Sequence, residues 1–125
     1  MSERERLAKI EAIAEAALDR KAENLVALDV RELTSYTDTF VIATATSNRR
    51  AQAIADSITS AGRGLGETSI GVEGYDDGRW VLIDLGDVIV HVFQDEVRRE
   101  YDLERLWSDA PTVALPVAGE RTAVS

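Results

Sequence analysis

The apolar residues of this chain change their spacing along its length, and each change marks an element. Over residues 3–22, Leu7, Ile10, Ala14, Ala17 and Leu18 recur every three or four positions between Glu, Arg and Lys, which predicts an amphipathic helix. "LVALDV" (25–30) and "TFVIATA" (39–45) are short runs rich in β-branched and apolar residues, and they predict two strands joined by the polar "RELTSYT". Ser47 or Asn48 can cap a helix through about residue 61, with Ala51, Ile54, Ala55 and Ile58 in one stripe and "GRGLG" as its stop. A short strand over 68–73 precedes "YDDGR", whose Asp-Gly pair is a hairpin signal. "RWVLIDL" (79–85) and "DVIVHVF" (87–93) are the strongest strands, and "QDEVRREYDLERLW" (94–107) returns to helical spacing through Val97, Tyr101 and Leu106. From Pro111 onward there are two prolines and no period, so 111–125 is expected to be a flexible tail, and removal of 112–125 is expected to leave folding nearly unchanged. The element order, helix–strand–strand–helix–three strands–helix, predicts one α/β (α+β) domain over 1–110, a mixed sheet flanked by helices.

The strand pair over 79–93 holds the most unusual chemistry. With Gly86-Asp87 as a two-residue turn, Leu85 faces Val88, Asp84 faces Ile89, Leu82 faces His91 and Trp80 faces Phe93. Side chains alternate across a sheet, so one face carries Val81, Ile83, Leu85, Val88, Val90 and Val92, an aliphatic set that belongs to the core. The other face carries Trp80, Leu82, Asp84, Ile89, His91 and Phe93. Three readings compete for it. A metal or catalytic site needs three or four converging groups, and only Asp84, Asp87 and His91 are at hand. Asp84 and His91 are diagonal neighbours, about 7–8 Å apart between α-carbons. A half-buried face under a helix, with His91 hydrogen-bonded to an acid, is the plain structural alternative. An exposed patch of aromatic anchors and acids is the third, and it has the composition of a protein interface centre.

Charge shifts the balance towards the third. The net charge is −9, and residues 67–109 carry most of the excess, with acids from Glu67 to Asp109 opposed only by Arg79, Arg98, Arg99 and Arg105. Such a region repels nucleic-acid phosphates and attracts basic protein, although solubility alone also explains it. There is no basic patch interleaved with aromatics, which argues against direct nucleic-acid specificity; Arg49-Arg50 reads as a small solvated spot. The absence of cysteine removes disulfides, thiolate metal sites and cysteine nucleophiles. No apolar run reaches the roughly 18 residues of a membrane span, and "MSERERLAKIEA" lacks a signal-peptide core, so a cytoplasmic protein away from membranes is expected. Ser47 is explained as a helix cap, and "GRGLG" follows a helix rather than a strand, which is not the setting of a phosphate loop.

"DTFVIATATSNRRAQAIAD" (38–56), "EG" (73–74), "WVLIDLGDVIVHVF" (80–93) and "RREYDLERLW" (98–107), in this order and spacing, resemble the ribosomal silencing factor, or Iojap, family over about residues 5–111. The resemblance implies a nucleotidyltransferase-like fold without known catalysis, hence no catalytic residue, metal or cofactor. It implies binding to ribosomal protein fourteen of the large subunit, which blocks joining of the small and large subunits and represses translation under nutrient limitation. It also implies a homodimer in the free state. Family motif positions fall on Asp38, Ser47, Trp80, Asp84, Gly86, His91, Arg98, Tyr101, Leu103, Glu104 and Trp107. Of these, Trp80, Asp84, His91, Tyr101, Leu103, Glu104 and Trp107 are the expected contacts to the ribosomal protein. Ala45, Arg50 and Leu85 depart from the residues usual in the family. The runner-up is a small metal-dependent nucleotidyltransferase using Ser47 and the acids; it needs two carboxylates sharing magnesium on one side of a strand.

Overall fold

In the computed structural model, which describes residues 2–115, a five-stranded sheet carries two long helices on one face. The elements are α1 (Glu3–Asp19), β1 (Glu23–Asp29), β2 (Thr39–Ala45), α2 (Asn48–Gly64), β3 (Gly71–Glu73), β4 (Trp80–Asp84), β5 (Val88–Gln94), α3 (Asp95–Tyr101) and α4 (Leu103–Leu106). The strand order is β1-β2-β5-β4-β3, with β2 and β5 parallel and all other neighbours antiparallel. The α/β fold class expected from the element order therefore holds, with differences at the ends of elements.

The two-faced hairpin forms in the expected register: Trp80 pairs with Phe93, Leu82 with His91 and Asp84 with Ile89. Gly86, at φ +85°, makes the turn, and the Asp84 carboxylate accepts from its N–H at 2.8 Å. Val81, Ile83, Leu85, Val88, Val90 and Val92 are fully buried beneath α1 and α2. Ser47 caps α2 by accepting from the Arg50 N–H at 3.0 Å. Ser2 and Glu5 form a reciprocal capping box at the start of α1.

Four expectations need correction. On α1 the buried face is Arg6, Lys9, Ile10, Ile13, Ala14, Ala16 and Ala17, whereas Leu7 is 41 % exposed. The apolar stripe was centred wrongly because two of its members are charged. Lys9 sits under the β4–β5 turn, bonded to Asp87 and Glu67 and, at 3.3 Å, to the Leu85 carbonyl. Burial opposes its charge, but the bonds to Asp87 and Glu67 outweigh that and raise its pKa. Arg6 donates to Thr39 and Glu3 and lies near Asp29.

The third strand spans only Gly71–Glu73, and its connection to β4 is longer than a two-residue hairpin turn. The helix expected over 94–107 is two short ones, parted by Asp102 in the left-handed region at φ +45°. Finally, residues 111–115 are not loose. The Asp29 N–H donates to the Pro111 carbonyl and the Val113 N–H to the Ala27 carbonyl, each at 2.8 Å, so this segment pairs along the outer edge of β1. It also crosses that edge: Ala110 packs on one sheet face and Leu115 in the cluster beneath α1 and α2. The rest of the expected tail, 116–125, lies outside the described residues.

This pairing makes truncation position-sensitive. A chain ending after Ala110 is expected to be less stable than one ending after Leu115, by about 2 kcal/mol for the lost leucine alone, and more for the uncovered β1 edge. Denaturant melts of the two truncations check this; coincident curves would show that the segment contributes nothing.

Candidate functional site

The second face of the sheet begins with residues that strand alternation cannot avoid. Above β2 and β5 it presents Phe40, Ile42, Ile89, His91 and Phe93, all buried. Their cover is the chain after β5. Trp107 stacks edge-on against Phe40 at 5.1 Å, and Leu103 and Ala110 pack in the same cluster. The cover is fastened by Arg98, buried on α3. Its guanidinium donates to the Asn24 carbonyl at 2.7 Å, the Thr44 hydroxyl at 2.8 Å and the Glu104 carboxylate at 2.9 Å. Asn24 has φ +50° and lies where the β1–β2 register shifts, and this bulge exposes the carbonyl that Arg98 takes.

Beyond β5 the cover thins. Trp80 and Leu82 on β4 are half-buried, Asp84 is exposed, and Glu73 on β3 stands opposite Leu82. Tyr101, at the end of α3, is 54 % exposed and its ring lies 4.8 Å from that of Trp80. Trp80 also packs at 4.7 Å on Phe93, and its indole N–H donates to His91 Nδ1 at 3.1 Å. The acid that the structural alternative gave His91 as a partner is thus replaced by a tryptophan. The imidazole is 7 % exposed, and burial lowers its pKa from 6.5 to about 4.

The sequence-derived residues therefore separate by depth. Trp80 and Tyr101 meet near the surface, and Asp84 is exposed at the other end of β4. His91 supports Trp80 from below, while Leu103 and Trp107 are half-buried parts of the cover. Glu104 is engaged by Arg98. Two residues of this region were not among the expected contacts: Leu82, half-buried on the same face of β4, and Leu106, 73 % exposed on α4. Arg98 was also missed as an organiser, although it fell within the motif.

The acids do not gather as a metal site would require. Asp84 turns back onto the Gly86 N–H, and Asp87 reaches the other way to Lys9. Among the described residues no three His, Cys, Asp or Glu side chains converge on one point. The α2 N-terminus, where a phosphate could lie, is met by the β3–β4 loop instead. Gly78 packs so closely there that a Cβ would come within 2.9 Å of Asn48 Cα, and the Gln94 amide bridges Asn48 and the Gly78 carbonyl. No helix among the described residues is long and apolar enough to cross a membrane.

Comparison with known proteins agrees with this architecture. The family model described as "Ribosomal silencing factor during starvation" matches residues 3–124. A curated relative from Halalkalibacterium halodurans, "Ribosomal silencing factor RsfS", is 46 % identical over 78 % of this chain and 83 % of its own length. A mouse relative, "Mitochondrial assembly of ribosomal large subunit protein 1", is 30 % identical over 70 % of this chain and 40 % of its own. A crystal structure of a Chromobacterium violaceum protein superposes with a TM-score of 0.80 at 35 % identity, covering 93 % of each chain.

The buried imidazole gives the site an acid sensitivity with a defined window. The folded protein disfavours protonated His91, so the unfolded chain takes up the proton first. Stability is then full above about pH 6.5 and is lost as pH falls towards about 4. The loss from this group is on the order of a few kcal/mol at most. A His91→Phe variant is expected to lack this step. Denaturant unfolding of both proteins at neutral pH and near pH 4.5 checks it, and a constant difference between them would contradict it.

Proposed function

The chain belongs to the ribosomal silencing factor family, and from that premise we propose that its second sheet face docks on ribosomal protein fourteen of the large subunit. Docking there would block joining of the small subunit and repress translation when nutrients are scarce. The observation that carries the reading is the Trp80–Tyr101 pair, two large amphipathic rings packed against each other at 4.8 Å on the open side of the sheet. Tryptophan and tyrosine are the usual anchors of protein interfaces because they supply wide contact at little entropic cost. The mouse relative's name supports a large-subunit partner.

The surroundings suit a basic surface such as a ribosomal protein. Glu73, Asp84, Glu100 and Asp102 make no ion pair among the described residues. Asp84, Trp80 and Tyr101 form the exposed part of the proposed contact. Leu103, Glu104, Trp107 and His91 shape it from behind. No nucleic-acid specificity, membrane contact or cofactor enters this reading, and the protein would act in the cytoplasm, where the ribosomes are. A homodimer in the free state is proposed on the family resemblance, and sedimentation of the isolated chain tests it. An enzymatic role is disfavoured by the divergent directions of Asp84 and Asp87.

Tyr101→Ala is the cleaner anchor variant, because most of that ring is already in solvent. It is expected to weaken large-subunit binding about 30- to 1,000-fold, the range for losing an interface aromatic, with little change in melting. Trp80→Ala is expected to weaken binding similarly and to lower melting as well, since Trp80 also packs on Phe93. Co-sedimentation with purified large subunits measures both, and undiminished binding in both variants would place the docking face elsewhere. Association should also slow as salt rises and the screening length falls below the roughly 8 Å of physiological buffer; indifference to salt would leave the acids without a role.

A further inference from the structure

Within the docking face, the hydrogen bond between Trp80 and His91 does something that the aromatic contacts cannot. Phe93 and Tyr101 flank the indole at 4.7 and 4.8 Å, with interplanar angles of 57° and 49°. Packing of this kind favours a ring position but says little about which edge of the indole points outward. A hydrogen bond is directional, and the Trp80 N–H has one acceptor, His91 Nδ1, at 3.1 Å. We propose that His91 is the positioning residue of the docking face: its Nδ1 lone pair holds the Trp80 indole in the orientation that the partner meets. This rests on the reading of that face as a docking surface.

Three features support the assignment. First, the imidazole is itself closely packed. His91 lies on a central strand, paired with Ile42 on one side and Leu82 on the other. Phe40 and Phe93 stand edge-on to its ring at 5.4 and 5.7 Å, with interplanar angles of 74° and 88°. A fixed acceptor is what a positioning contact needs. Second, the chemistry leaves one protonation pattern. An indole nitrogen only donates, so His91 Nδ1 must carry a lone pair and the ring proton must sit on Nε2. Burial of the ring, which opposes a second proton, keeps that pattern through the neutral range.

Third, docking would cover Trp80. An indole N–H covered by a partner and left without an acceptor weakens binding by about tenfold or more. With His91 beneath it, the donor is already satisfied before the partner arrives, and the outer surface of the indole is free to act as an apolar anchor. If His91 served only as core filling, a similarly sized apolar residue would replace it without effect on docking.

The test uses the full chain. Its first part needs no variant: long-range nitrogen–proton correlation reads the His91 tautomer, and the indole N–H resonance of Trp80, told apart from that of Trp107 with Trp107→Phe, reads the hydrogen bond. The expected result is a neutral ring protonated on Nε2 and a downfield, slowly exchanging Trp80 N–H. A ring protonated on Nδ1, or an indole N–H that exchanges freely, overturns the proposal. The second part compares His91→Leu with His91→Asn, whose side-chain oxygen can stand near the Nδ1 position. His91→Leu should lose the downfield signal and bind large subunits about tenfold more weakly or worse. His91→Asn should recover both within a few fold. Equal binding by His91→Leu and the parent protein, while Trp80→Ala fails to bind, overturns the positioning role and leaves the docking face standing. Undiminished binding by Trp80→Ala overturns both.

Discussion

A sheet whose two long helices lie on one side must find its second cover elsewhere, and this constraint organises the molecule. Both long helices, α1 and α2, pack against the same face. The central strands β2 and β5 are buried along almost their whole length, so their opposite face also needs shielding. Among the described residues only the segment from α3 to Ala110 provides it, and a piece that short covers two or three strands. Its grip depends on Arg98. A buried guanidinium is costly unless its donors are matched, and here a bulge carbonyl, a strand hydroxyl and a carboxylate take them. Where this cover ends, at β4, the sheet surface opens with Trp80 at its border.

The same constraint explains what could be read from the sequence. Strict alternation over 79–93 identified both faces of the hairpin and its pairing, because a slip of one residue would put every valine in water. It also placed Trp80, Asp84 and His91 on one face. It could not show how much of that face is covered, since the cover comes from residues later in the chain with a weak period of their own. The break at Asp102 was invisible for a related reason: helical spacing continues through it, and only the left-handed backbone reveals the kink. On α1, Arg6 and Lys9 interrupt the apolar stripe, yet Asp29, Thr39, Glu67 and Asp87 pair with them from distant parts of the chain, leaving the buried Arg6 Nε without a partner among the described residues. Charged residues on an apolar stripe are legible only once their partners are known. The docked segment 111–115 gave no signal because its attachment is mainly through backbone hydrogen bonds, which are indifferent to side-chain pattern.

The parts that the runner-up enzymatic reading would need also have a physical reading. Ser47 at a helix start and acids near a strand end are the parts a metal-nucleotide site would reuse. In this chain each is already committed: Ser47 to its cap, Asp84 to its turn, Asp87 to Lys9, and the α2 N-terminus to the β3–β4 loop. Groups held by such contacts stabilise the fold, and freeing them for a ligand would cost the bonds they now make.

The proposed docking face combines two kinds of residue that act at different stages of binding. Glu73, Asp84, Glu100 and Asp102 carry charge into solvent, and charge acts over distance; it steers a basic partner towards this side and away from nucleic acid, mainly by raising the rate of encounter. Such exposed charges add little once contact is made, because water and salt already screen them. Trp80 and Tyr101 behave the other way. They exert nothing at range, but on contact they remove apolar area from water, and that slows release. The acids lie beside the aromatics rather than beneath them, so neither function compromises the other. An acid buried under the rings would have to be desolvated on docking; His91, neutral and already bonded to Trp80, fills that place without such a penalty.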